Sequence, residues 1–144
     1  MKNLLMNLYL MWGTMEDLKE KKISLTYLKI GAILGILFFI REMKNQDLSV
    51  INVFLSFLPG MIFLLIAKIT KEKIGYGDGW LFLIISCWMG TMKTWALWQT
   101  SLLLSSVFSI VMLITQKCKM KSHIAFVPFV WLAHLLLWSL NYGK

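Results

Sequence analysis

The sequence predicts an all-α, polytopic integral membrane protein of about six transmembrane helices, folded as a single domain over residues 1–144. Composition carries the first half of that reading. Hydrophobic residues make up 58% of the chain, charged residues only 15%, and the mean hydropathy is +0.70, which is too apolar for a water-soluble domain. The second half is the spacing of the polar residues. They bunch into short breaks, and the apolar segments between them reach or approach the roughly 20 residues that a helix needs to cross the hydrocarbon. A formal charge of +8 suggests nucleic acid at first sight, but the fifteen Lys and Arg sit mainly in those breaks rather than along one exposed stripe, so no nucleic-acid partner is expected.

The elements follow in order. Asn3–Met15 is short and contains Asn3 and Asn7, so it is either a partial span or a helix that continues past the membrane surface. Lys2 ahead of it resembles the start of a signal peptide, but only Gly13-Thr14-Met15-Glu16 follows, with no small-residue cleavage site, and the segment is expected to be retained. Ser24–Ile40 and Leu48–Ala67 are spans two and three. Gly79–Thr115 is 37 residues with one charge, Lys93, too long for one ordinary crossing and suited to two helices that turn at Gly90-Thr91-Met92-Lys93-Thr94. Ile124–Leu140 is the last. Pro59 and Pro128 are expected to kink the third and sixth helices. Gly31 and Gly35 form a small-residue pattern for close packing, its partner either internal or another copy of the chain in a homo-oligomer.

Cytoplasmic loops collect Lys and Arg. With six helices, one face holds Lys19, Lys21, Lys22, Lys68, Lys71, Lys73, Lys117, Lys119 and Lys121, nine in all, and the other holds five: Lys2, Arg41, Lys44, Lys93 and Lys144. Lys29 falls inside the second span. The split places both termini outside. Merging Gly79–Thr115 into one span would leave six against seven, which favours the six-helix count.

On that topology two acids of the seven, Asp17 and Asp78, lie at the cytoplasmic face, at the end of the first helix and the start of the fourth. An ionisable group near the hydrocarbon is expensive and is a functional candidate by default. Each also has a plain structural reading. Asp78 could cap the helix that follows it, and Asp17, in "MEDLKEKKIS", could belong to a solvated charged loop.

Considered together, the two stretches resemble a family. "GYGD", Gly75 to Asp78, matches the GxGD motif of intramembrane aspartyl proteases, and "EDLKEKKIS", Glu16 to Ser24, is similar to the segment around the first aspartate of type IV prepilin peptidases. Gly90 falls where that family's fourth helix often ends in glycine, and "IAFVPFVWLAHLL" resembles its last helix. The presenilin-like and signal-peptide-peptidase-like branches share GxGD, but they carry a Tyr-Asp pair in a helix and are much longer. This chain departs from many prepilin peptidases at Ser24 and Leu25, where Pro and Asn would follow Ile23, and at Trp80, where a Lys is common.

The resemblance implies an aspartic endopeptidase with Asp17 and Asp78 as its catalytic pair and no cofactor. It also implies a prepilin or pilin-like precursor as substrate, cut behind a basic leader at the cytoplasmic face of the plasma membrane. Two carboxyls suit this chemistry because one, ionised, takes a proton from water while the other, protonated, donates to the peptide. Neighbouring carboxyls share a proton for that purpose, as they do in aspartic proteases. A helix N-terminus favours an ionised Asp78 and a helix C-terminus a protonated Asp17, which makes Asp78 the first base. Gly75, Gly77 and Gly79 would permit close backbone approach and unusual dihedrals beside the substrate. Larger relatives carry paired Cys-x-x-Cys motifs associated with zinc and N-methylation; in this chain Cys87 and Cys118 stand 31 residues apart, so no methyltransferase activity is expected.

The remaining candidates read as structural. His123 and His134 lack Cys or acidic neighbours in sequence and are expected in packing or interfacial roles, so no metal site is predicted. Cys87 reads as apolar packing and Cys118 as a reduced bystander in a basic loop. Anionic membrane lipid is an expected partner of the loop lysines. Two other classes stay open on sequence alone: a small proton- or cation-coupled transporter component using both acids, and a noncatalytic membrane assembly factor.

Overall fold

The computed structural model describes residues 2–20, 23–45, 50–70, 75–115 and 125–142. Among the described residues there are six helices and no strand: α1 (Lys2–Glu20), α2 (Leu25–Asn45), α3 (Val50–Ile69), α4 (Tyr76–Met89), α5 (Thr91–Ile114) and α6 (Val127–Tyr142). They fall into two compact units. One holds α1 from Asn3, α5 from Leu97, and α6; the other holds α2, α3, α4 and the opening of α5 up to Ala96.

The long apolar run breaks where expected, and the backbone shows why. Gly90 has φ +72° and ψ −177°, a conformation essentially restricted to glycine, so α4 stops at Met89 and α5 starts afresh at Thr91. The break is stitched on both sides. Gly90 N–H donates to Ser86 O at 3.2 Å, and Thr94 returns both its N–H and its hydroxyl to Gly90 O, at 3.2 and 2.7 Å.

By length and composition α3 and α5 can cross a membrane, with mean hydropathies of 2.4 and 1.8. The others differ from the ideal in identifiable ways. α2 carries Lys29, Arg41, Glu42 and Lys44. α4, with 14 residues, rises about 21 Å against a hydrocarbon core of roughly 30 Å. α1 continues to Glu20, past the apolar stretch that ends at Met15, which is one of the two forms its sequence allows.

In the α2–α4 unit, α4 packs chiefly on α3 and then on α2. Glycines set the approach. A Cβ on Gly60 would fall 2.7 Å from Leu83 Cγ and 2.8 Å from its backbone nitrogen, so α3 and α4 touch almost backbone to backbone. The Gly31/Gly35 pattern finds an internal partner in α4: Trp88 Nε1 donates to Gly31 O at 3.2 Å, and a Cβ on Gly35 would meet the same indole at 3.0 Å.

Pro59 lies inside α3, and its main effect is on hydrogen bonding. A proline has no N–H for the carbonyl four residues back, and in α3 that carbonyl, Leu55 O, accepts instead from Trp95 Nε1 at 3.0 Å. The neighbouring carbonyls of Asn52 and Ser56 accept from the hydroxyls of Thr91 and Ser86, at 2.7 and 2.6 Å. The kink expected of Pro128 is corrected. Pro128 is the second residue of α6, in a turn whose amides have no intrahelical acceptor anyway, so it opens the helix rather than bending it.

Replacing Gly90 by Ala forces a side chain into that backbone region, with a cost of about 1–3 kcal/mol. The Gly90→Ala protein in detergent is expected to unfold at a lower temperature than wild type, although nothing lies within 4 Å of the added Cβ. An unchanged midpoint would show that residue 90 does not hold this conformation.

Candidate active site

Asp17 occupies the last turn of α1, on the inward stripe Met6, Leu10, Gly13, Asp17. Spacings of four, three and four put these residues on one face of a helix. Glu16 and Glu20 miss that face: Asp17 is 6% exposed, Glu16 half-buried and Glu20 exposed. The solvated-loop alternative for Asp17 is therefore set aside, because the residue is helical and buried.

Its carboxylate has a defined partner in the same unit. Val127 N–H, the first amide of α6, donates to Asp17 Oδ2 at 2.9 Å. The reason lies in the local sequence. Phe126 is the residue from which α6 departs, its carbonyl accepting from the amides of Phe129 and Val130 at 3.0 and 3.3 Å, yet Phe has no side-chain acceptor for the orphan amides of the first turn. Asp17 supplies the missing acceptor from another helix. Burial pushes the Asp17 carboxyl above the ordinary 3.8, while the amides of Val127 and Phe126 pull in the opposite direction. A second polar tie joins the two helices, Trp131 Nε1 donating to Asn7 Oδ1 at 2.6 Å.

Asp78 lies in the other unit, half-buried, as the third residue of α4. The capping alternative is corrected in detail: the N-cap position belongs to Gly75, with φ −64° and ψ 129°, and Asp78 stands in the first turn with its N–H on Gly75 O at 3.2 Å. A carboxylate there is favoured by the helix dipole. A Cβ on Gly75 would lie 3.5 Å from Asp78 Oδ2, an ordinary contact.

Gly77 of the motif and Gly79, which follows it, have a packing role. A Cβ on Gly79 would lie 2.7 Å from Leu64 Cγ and Cδ2 and 3.1 Å from the Leu64 nitrogen, and one on Gly77 would lie 3.1 Å from Ile23. The unusual dihedrals expected of these glycines are not found, since among the described residues Gly90 is the glycine with positive φ. What they provide is close approach. Ile23, from the stretch that follows Asp17 in sequence, thus rests on Gly77 of the glycine motif.

Among the described residues no three His, Cys, Asp and Glu side chains gather as metal ligands. His134 is buried in α6, with neither ring nitrogen hydrogen-bonded among the described residues. Cys87 is half-buried, its Cβ 3.2 Å from where a Cβ on Gly35 would stand, in keeping with a packing role. His123 and Cys118 lie outside the described residues.

Residues 4–114, which take in both Asp17 and the glycine motif, match the type IV leader peptidase family. This chain belongs to that family. No curated protein and no solved structure matches it. Membership makes this leader peptidase a hydrolase of the aspartic peptidase kind, and α3 and α5 agree with the family's place in membranes.

Sequence reasoning on this leader peptidase missed the amides of Phe126 and Val127. A signal was available. Pro128 marks a first helical turn, and no Ser, Thr, Asp or Asn stands immediately before it in "IAFVPF", so the cap had to come from elsewhere in the chain.

The raised Asp17 value has a consequence for stability. Below 3.8 both folded and unfolded chains hold the proton; as pH rises through the folded value the native state must ionise a buried carboxyl, and stability falls. The unfolding midpoint of wild type is expected to drop with rising pH across that window relative to Asp17→Asn, measured in detergent. Parallel curves for the two proteins would refute a disfavoured charge at Asp17.

Proposed function

We propose that this leader peptidase is an intramembrane aspartic endopeptidase that removes the basic leader from prepilin or pilin-like precursors at the cytoplasmic membrane face. Asp17 and Asp78 are its catalytic pair, and residues 1–144 form one peptidase domain. The observation that carries the reading is the family match, which spans both acids and the GYGD turn. The local settings support it. Asp78, in the first turn of α4, sits where a helix dipole favours the ionised form; Asp17 is buried where the neutral form is favoured.

That difference sets the proton traffic. Ionised Asp78 takes a proton from water as its oxygen attacks the scissile carbonyl carbon, and protonated Asp17 donates to the carbonyl oxygen, giving a tetrahedral diol. Collapse of the diol returns a proton from a diol hydroxyl to Asp17, the amide nitrogen takes the proton held by Asp78, and the C–N bond breaks. The two carboxyls supply every transfer and end as they began.

Orientation is supported by the α1–α6 pair. Asn7 meets Trp131 and Asp17 meets Val127, so α6 runs back along α1 in the opposite sense, as the first and last spans of an even-numbered bundle do. The antiparallel pair and the nine-to-five lysine and arginine split both support a topology with the two termini outside, in which cysteines introduced at Lys21 and Lys71 are expected to react with an impermeant thiol reagent from the cytoplasmic side alone. Labelling from outside would invert the topology.

Asp17→Asn and Asp78→Asn keep size and polarity and remove the exchangeable proton. Each is expected to lower cleavage of a co-expressed pilin-like precursor by about 1,000-fold or more, and the double variant to be hardly worse than either single one. Glu16→Gln is expected to retain most activity. Normal cleavage by Asp17→Asn would remove α1 from the catalytic pair and with it the two-carboxyl mechanism.

A further inference from the structure

We propose that the opening turn of α6 is the positioning element of the Asp17 carboxyl, so that turnover depends on a helix outside the family-matched residues. The inference rests on the peptidase reading of Asp17 and adds to it. The match ends at residue 114, whereas α6 begins at Val127. Nothing in the matched region would therefore announce the contact.

Three observations converge on it. Asp17 Oδ2 accepts from Val127 N–H at 2.9 Å, which restricts the rotation of the carboxyl plane about the side chain. The turn that donates has no capping side chain of its own, since Phe126 precedes it, so carboxylate and turn satisfy each other. The Asn7–Trp131 bond ties α6 to α1 independently of the aspartate, and Val127 is itself 0% exposed. A carboxyl held on a fixed backbone donor starts each turnover from one geometry. Misplacement of a reacting group by about 1 Å can cost on the order of 100-fold in rate.

Proline at position 127 tests this directly, because it deletes the amide while suiting the first position of a helix. Val130→Ala is the comparison: it removes buried volume from the same helix and leaves the amide in place. Cleavage of a purified precursor with a basic leader and an apolar segment is measured for both. In Val127→Pro kcat is expected to fall about 10- to 100-fold with KM nearly unchanged, whereas Val130→Ala, though less stable, keeps kcat near wild type. Equal kcat in the two variants would overturn the proposal.

A second measurement covers the case in which Val127→Pro does not fold. Amide hydrogen exchange around residue 127 is expected to be at least about tenfold faster in Asp17→Ala than in wild type and unaltered in Asp17→Asn, whose side-chain oxygen still accepts. Exchange that ignores Asp17→Ala would overturn the proposal whatever the activity data show. Conversely, faster exchange together with normal cleavage by Asp17→Asn would leave the contact in place and reject Asp17 as a catalytic acid, so the two failures are distinguishable.

Discussion

Hydrocarbon offers no hydrogen bonds, so a chain that enters it must satisfy each backbone polar group from within. Much of the polar detail in this leader peptidase answers that constraint. Pro59 removes an amide and Trp95 supplies a donor to the carbonyl left over. Ser86 and Thr91 donate to the neighbouring carbonyls of α3. At the opening of α6 the sign reverses: amides lack an acceptor, and the Asp17 carboxylate serves them. Burial makes the same demand at this helix start, and an acid on α1 meets it.

Asp17 is consequently under two opposed influences. Burial favours its neutral form, and the α6 amides favour its charge, with burial the larger effect. Asp78 has a different setting, half-buried in the first turn of α4. The two carboxyls therefore stand in unlike surroundings, one at the end of a helix against the amides of α6 and one in the first turn of α4.

The helices and the break at Gly90 are legible in the sequence because they depend on local quantities: runs of hydropathy, charged interruptions and one residue type that tolerates a left-handed backbone. Asp17 can be singled out from Glu16 and Glu20 by the stripe through Met6, Leu10 and Gly13. Its partner is harder to see. A cap that comes from 110 positions away is a property of tertiary arrangement, and only the absence of a local capping residue before Pro128 hints at it. The misreadings share this origin. Pro128 reads as interior to a helix because apolar character runs on through Ile124–Leu140 and conceals where the helix starts, and of the two properties expected of Gly77 and Gly79 the unusual dihedrals are absent while close approach is found, to Ile23 and Leu64, which are not adjacent in sequence.

Gly79, the residue after the GYGD stretch, answers to helix packing. Leu64 stands where its side chain would be, and that contact concerns how α3 and α4 pack, whatever reaction is catalysed beside them. A descendant of this protein that had lost its peptidase activity would still have to keep glycine at position 79 to close the same pair of helices. Glycine at position 79 therefore records the architecture.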